Sequence, residues 1–155
     1  MKQVKPLLLS LFWIYLTPSI FGNDHLGKLS DNHPAFIEGQ LIYLLNNKPT
    51  PQCHASTIVE TNAGMVASWF GGTHEKNTDV GIWVSRRINN KWRKPFKVAD
   101  GSEGEDKEYP CWNPVLFKTQ SGKLLLFYKV GPSPSKWWGV IRESKDNGES
   151  WSDPR

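Results

Sequence analysis

The sequence predicts an all-β fold made of repeated four-stranded antiparallel units, and three observations carry that expectation. The first is self-similarity. Setting Cys53 over Cys111 brings Thr61 onto Thr119, Gly64 onto Gly122 and Gly81 onto Gly139 at an offset of 58. After a one-residue slip, Ser85 falls on Ser144, Trp92 on Trp151 and Pro95 on Pro154 at an offset of 59. A period of this size marks a repeat architecture, in which each unit buries its faces against its neighbours. The second is a succession of short apolar runs separated by tight turns such as Asn62-Ala63-Gly64 and Gln120-Ser121-Gly122. The third is the stretch Ser144-Lys145-Asp146-Asn147-Gly148-Glu149-Ser150-Trp151. Here Asp146 is placed to accept backbone N–H groups of its own turn, Gly148 to take a positive φ, and Trp151 to pack the turn down.

Taken in order, the chain opens with Lys2 and Lys5 ahead of an apolar run, 7–16, and a helix-breaking Thr17-Pro18-Ser19. That pattern describes a secretory signal peptide over 1–22, too short to span a bilayer comfortably. Removing its two lysines takes the formal charge from +4 to +2, so the pI near 9.1 overstates how basic the mature chain is. Residues 23–50 read as a polar lead-in followed by one strand, 36–44, ahead of a Pro-bearing loop. The first repeat, 51–100, then reads as strands over 56–61, 65–70, 80–85 and 92–98. In this copy Arg87 stands where the turn wants Asp and Asn89 where it wants Gly, so its turn is degenerate. An acidic segment (Asp100, Glu103, Glu105, Asp106, Glu108) links to the second repeat, 109–155. That repeat carries strands over 114–118, 123–128 and 138–144 and the start of a fourth.

The Ser144, Asp146, Gly148 and Trp151 pattern resembles the Asp-box of sialidase-like β-propellers, the bacterial neuraminidase repeat. Further strings are similar to a group of secreted, mostly bacterial sialidase-like proteins. They are Cys53-His54-Ala55-Ser56-Thr57-Ile58-Val59-Glu60, Trp69-Phe70-Gly71-Gly72-Thr73-His74-Glu75, Tyr109-Pro110-Cys111-Trp112-Asn113-Pro114 and Tyr128-Lys129-Val130-Gly131-Pro132-Ser133-Pro134. The resemblance implies a β-propeller of four-stranded blades, of which this chain holds about two from a ring of about six or seven. Two blades cannot close a ring, so the expectation is an N-terminal piece of a longer secreted or periplasmic protein whose remaining blades lie elsewhere.

Propeller connectivity would gather the loops before strand one and between strands two and three at one end. That end collects His54, His74, Glu75, Asp79, Tyr109, Trp112, Asn113, Lys129 and Trp137. His54 and His74 suit general acid–base work near neutral pH, and Glu75 with Asp79 could form a carboxylate pair acting on a glycosidic bond. The plain structural alternative is that each simply holds a solvated loop. Trp112 and Trp137 fit sugar-ring faces or inter-blade packing equally well, while Trp69, Trp83, Trp92 and Trp151 read as core. Tyr109, Asn113 and Lys129 would hold hydroxyls or a carboxylate.

Some similar propellers cleave rhamnose–glucuronate linkages, as lyases or as glycosidases relying on a histidine, and the resemblance then favours His54. True sialidases hold the sialic carboxylate with three arginines, the first in an Arg-Ile-Pro string. No such string occurs and no Arg precedes Arg86, so the resemblance does not extend to sialic acid specificity. The functional expectation is a sialidase-like enzyme cleaving terminal bonds of acidic glycans, with a carbohydrate-binding propeller or an inactive fragment as alternatives. No zinc-type spacing is present, so neither metal nor cofactor is expected. No basic recognition module points to nucleic acid. No membrane partner is expected once the leader is removed. Cys53 and Cys111 occupy equivalent positions and could pair if their Cα atoms approach within about 7 Å; two buried free thiols are the other reading.

Overall fold

Alternating apolar residues between tight turns do form antiparallel strands, and these pair into two sheets. A computed structural model describes residues 39–102 and 108–155. The signal-peptide expectation, residues 23–38 and most of the acidic linker lie outside them. Residues Gln40–Arg155 pack as one unit. The strands are β1 (Gln52–Thr61), β2 (Gly64–Gly72), β3 (Gly81–Ile88), β4 (Lys91–Trp92), β5 (Phe96–Ala99), β6 (Cys111–Lys118), β7 (Leu124–Val130) and β8 (Trp138–Ser144). The first sheet runs β1-β2-β3 with β4 and β5 both paired to β3, and the second runs β6-β7-β8. Residues 151–155 begin a fourth strand of the second sheet, since Arg155 and Ile141 exchange backbone hydrogen bonds at 2.9 and 3.0 Å.

Three boundaries differ from the sequence expectation, each for a physical reason. The outer strand expected over 92–98 is split into β4 and β5, because Pro95 brings no N–H to the ladder. Of the strand expected over 36–44, the described residues carry none, and a single 3-10 turn, Leu45–Asn47, follows. The inner strands begin earlier than expected, at Gln52 and Cys111, because each continues through a β-bulge. The bulge residues are Ala55 (φ 49°) and Asn113 (φ 40°), 58 positions apart, so the repeat is preserved down to its irregularity.

The one-residue slip of the repeat sits in the first hairpin, not after Gly81. Thr61 pairs with Gly64 across a two-residue turn. Thr119 instead bonds to Lys123 across Gln120-Ser121-Gly122, with Gly122 at φ 85°. In both hairpins the threonine hydroxyl donates to the opposite carbonyl, at 2.9 Å to Gly64 and 3.1 Å to Lys123. Through β2 the match therefore runs at 59, and after the next loop, two residues shorter in the second repeat, it runs at 57 through β3. Trp69 corresponds to Tyr128, and an offset of 58 through β2 would turn every side chain to the wrong face.

The core lies between the sheets. Val66, Phe70, Ile82 and Val84 of the first sheet meet Leu116, Leu124, Leu126, Tyr128 and Val130 of the second. Trp69 is buried on the far face of the first sheet beneath Tyr43, with ring centroids 5.8 Å apart, and Trp151 packs against the core, as the core reading of both required. Trp83 donates its indole N–H to Gly71 O at 3.2 Å. Cys53 and Cys111 are free thiols, the first exposed and the second buried.

The intact box forms as its residues dictate. The Ser144 hydroxyl donates to Asp146 at 2.7 Å and accepts the Gly148 N–H at 2.8 Å. Asp146 Oδ1 also accepts the Glu149 and Ser150 N–H groups at 3.1 and 2.9 Å. In the degenerate copy the turn shrinks to Asn89-Asn90, both at positive φ (52° and 60°), between the paired Ile88 and Lys91. Without the aspartate there is no acceptor to hold a longer loop, and a two-residue primed turn, which asparagine tolerates, replaces it.

Candidate functional site

The loops expected at one end do converge there, and the strand register decides how. His54 lies opposite Phe70 on β2, and Trp112 opposite Lys129 on β7. His54 and Glu75 line one recess of about 130 Å³ with Gln52, Cys53, Phe70, Gly71, Gly72 and Val80. Neither of its two glycines has space for a side chain. A Cβ on Gly71 would stand 2.6 Å from Thr50 Oγ1, and one on Gly72 2.9 Å from Asp79 Oδ1.

From this recess a file of rings crosses to the second sheet. His54 meets Phe70 edge-on at 5.5 Å and 80°, Phe70 lies 6.2 Å from Trp112, and Trp112 lies 5.7 Å from Trp137. The Lys129 ammonium sits 5.5 Å from the Trp137 ring centroid, within cation–π range. A carboxylate, an imidazole, an aromatic surface and an ammonium thus share one end of the two sheets.

The sequence-selected residues divide accordingly. Trp112 is 2% exposed and donates its N–H to Gly131 O at 2.8 Å, so of its two readings packing is the one it serves. Trp137 is half-buried and backs Lys129. Asp79 is engaged by its own loop. It accepts the Thr73 N–H at 2.9 Å and hydroxyl at 2.7 Å, and the hydrogen bond from that hydroxyl leads the causes that hold its carboxyl below the usual range. His74 is exposed, with Nδ1 2.9 Å from the Glu75 carbonyl oxygen. Tyr109 packs edge-on against Trp138 at 5.5 Å. Asn113 occupies the second bulge and shares with Lys129 a shallower hollow on the outward face of the second sheet.

Two contributors escaped the sequence reading. Phe70 was assigned to a strand, and only the register shows that it bridges His54 and Trp112. Tyr43 lies within 3.3 Å of Cys53 Sγ, beside the recess; burial first, and that thiol second, push its hydroxyl pKa up. Among the described residues no group of three or more His, Cys, Asp or Glu side chains could hold a metal ion.

A family model described as a BNR repeat-like domain matches residues 63–155. The chain belongs to the BNR repeat-like family. Among solved structures it is similar to Hadza microbial sialidase Hz136, with a TM-score of 0.59 at 14% identity over 68% of this chain. It is also similar to a protein of unknown function from Dyadobacter fermentans DSM 18053, with a TM-score of 0.50 at 14% identity over 66% of this chain. It spans 26% of the first and 35% of the second. No curated protein matches it. At these identities the likeness establishes the fold, a sialidase-like β-propeller represented here by two BNR-type sheets.

Proposed function

We propose that this BNR repeat-like chain supplies part of the active end of a secreted or periplasmic carbohydrate-active enzyme that cleaves terminal glycosidic bonds of acidic glycans. The observation that carries the reading is the sharing of one recess by His54 and Glu75 beside the Phe70–Trp112–Trp137 file and Lys129. His54 would move the proton at the reacting centre, as an imidazole can in either direction near neutral pH. Glu75 is the second candidate acid–base group. Trp137 would present a ring face to a sugar and Lys129 a positive charge to its carboxylate, with Asn113 and Tyr109 at the margins. The same imidazole could abstract the proton beside a uronate carboxylate, which would make the reaction an elimination. Product analysis separates elimination, which leaves an unsaturated uronate, from hydrolysis, which does not.

The test is His54→Ala and Glu75→Gln, assayed on acidic oligosaccharides for bond cleavage and, separately, for binding. Loss of a general acid–base group should lower kcat by about 10²–10⁴-fold with binding retained. Cleavage and binding both unchanged in His54→Ala would remove the catalytic assignment. Binding without cleavage in the unsubstituted protein would leave a carbohydrate-binding propeller.

A further inference from the structure

The two inner strands share a device that local sequence preference does not explain. Each runs for a short distance, then bulges at a residue with positive φ, Ala55 in β1 and Asn113 in β6. Asparagine tolerates that conformation, but alanine adopts it only when surrounding structure imposes it. A bulge inserts one residue and re-aims the side chain beside it. The side chains just ahead of the two bulges are His54 and Trp112, which are 58 apart and so equivalent in the repeat. Both reach the same ring. Phe70, 3% exposed, lies edge-on to His54 and tilted against Trp112, and Trp112 is itself held by the Gly131 carbonyl and by Trp137.

We propose that Phe70, together with the Ala55 bulge, is a positioning element that holds the exposed His54 imidazole in one orientation over the Glu75 recess. The orientation is thereby set by the packing of one sheet on the other. An exposed imidazole alone would exchange rotamers freely; here one side is closed by a ring that cannot move without displacing Trp112. Phe70 is not a catalytic residue, because it acts through His54. This inference rests on the reading of His54 as the acid–base group, but its first readout does not require activity.

The experiment compares Phe70→Leu with Ile82→Val, a core change at the same sheet interface with no ring on His54, and follows the His54 ring protons by NMR. A ring held edge-on to Phe70 carries a ring-current shift. Phe70→Leu should move the His54 resonances to the positions of a mobile, exposed histidine, whereas Ile82→Val should leave them in place. Ala55→Gly, which keeps the positive φ available, should also leave them in place, and the β-branched Ala55→Ile should displace or broaden them. His54 resonances unmoved in Phe70→Leu, or moved equally by Ile82→Val, would overturn the proposal. Where cleavage is measurable, Phe70→Leu should lower kcat about tenfold with KM little changed. Shifted resonances with unaltered kcat would instead count against His54 as the reacting group and leave its positioning by Phe70 intact.

Discussion

Asp146 shows how much one carboxylate can organise. It accepts two backbone N–H groups and the hydroxyls of Ser144 and Ser150 within a single turn. Burial pushes its pKa up, but these donors outweigh it and bring the group to about 2, from an ordinary 3.8. Because the folded value lies below the unfolded one, the carboxylate contributes its full stabilisation above about pH 4 and loses it as pH falls towards 2. Asp146→Asn should cost about 1–3 kcal/mol at neutral pH, through hydrogen bonds more than charge, since the site is only half-buried. It should also flatten the decline of stability between about pH 4 and 2. Urea unfolding at pH 7 and pH 3 measures both; an equally steep acid decline in the variant would show that other carboxylates set it. The box was legible residue by residue because its partners lie within four positions of Asp146. Asp79 was not: its acidic side chain invited a catalytic reading, and only folding shows that it is engaged by Thr73.

At the scale of elements, turns and bulges decide where the side chains of a strand point. Gly148 takes φ 81°, and a Cβ there would stand 3.2 Å from both Val66 methyls of the first sheet. Gly148→Ala should therefore cost about 1–2 kcal/mol by strain and close approach together. Thermal unfolding reads this directly, and an unchanged Tm would mean that the turn relaxes away from Val66. The degenerate turn bears the same logic, since Arg87 offers no acceptor and the chain closes instead on Asn89-Asn90. The hairpin slip was half legible. Both repeats announce a turn with glycine, but Gly64 and Gly122 occupy different places in their turns, and sequence overlap cannot see which residue faces its cross-strand partner.

For the molecule as a whole, the interface between the sheets is the main source of cohesion. Leu126 is fully buried on the second sheet against the first, so Leu126→Ala should cost about 2–5 kcal/mol and lower the stability of both sheets in one transition. Ile58→Ala, at an exposed position, should change stability by less than about 0.5 kcal/mol. Two separate unfolding steps in Leu126→Ala would show that the sheets are independent. The Arg86–Glu149 pair, 3.1 Å apart, links β3 to the intact box but has one largely exposed partner, so it contributes about 0.2–1 kcal/mol at most. On the outward face of the second sheet, Val115, Phe117 and Phe127 are 53%, 55% and 42% exposed. Their repeat equivalents Thr57, Val59 and Ser68 are the positions with which the first sheet receives the second. By itself the sequence determined the all-β repeat, the hairpins, the box and the end of the sheets at which polar and aromatic loops gather. Each of these follows from residues close together in the chain: period-two alternation, turn chemistry, and a carboxylate reaching its own backbone. Only the tertiary structure decided that Trp112 is buried and Trp137 is not, that Lys129 rests on Trp137, and that Phe70 joins His54 to the neighbouring sheet. Those outcomes depend on the register between strands and the packing of one sheet on another, which brings Phe70 to Trp112, 42 positions away in the chain.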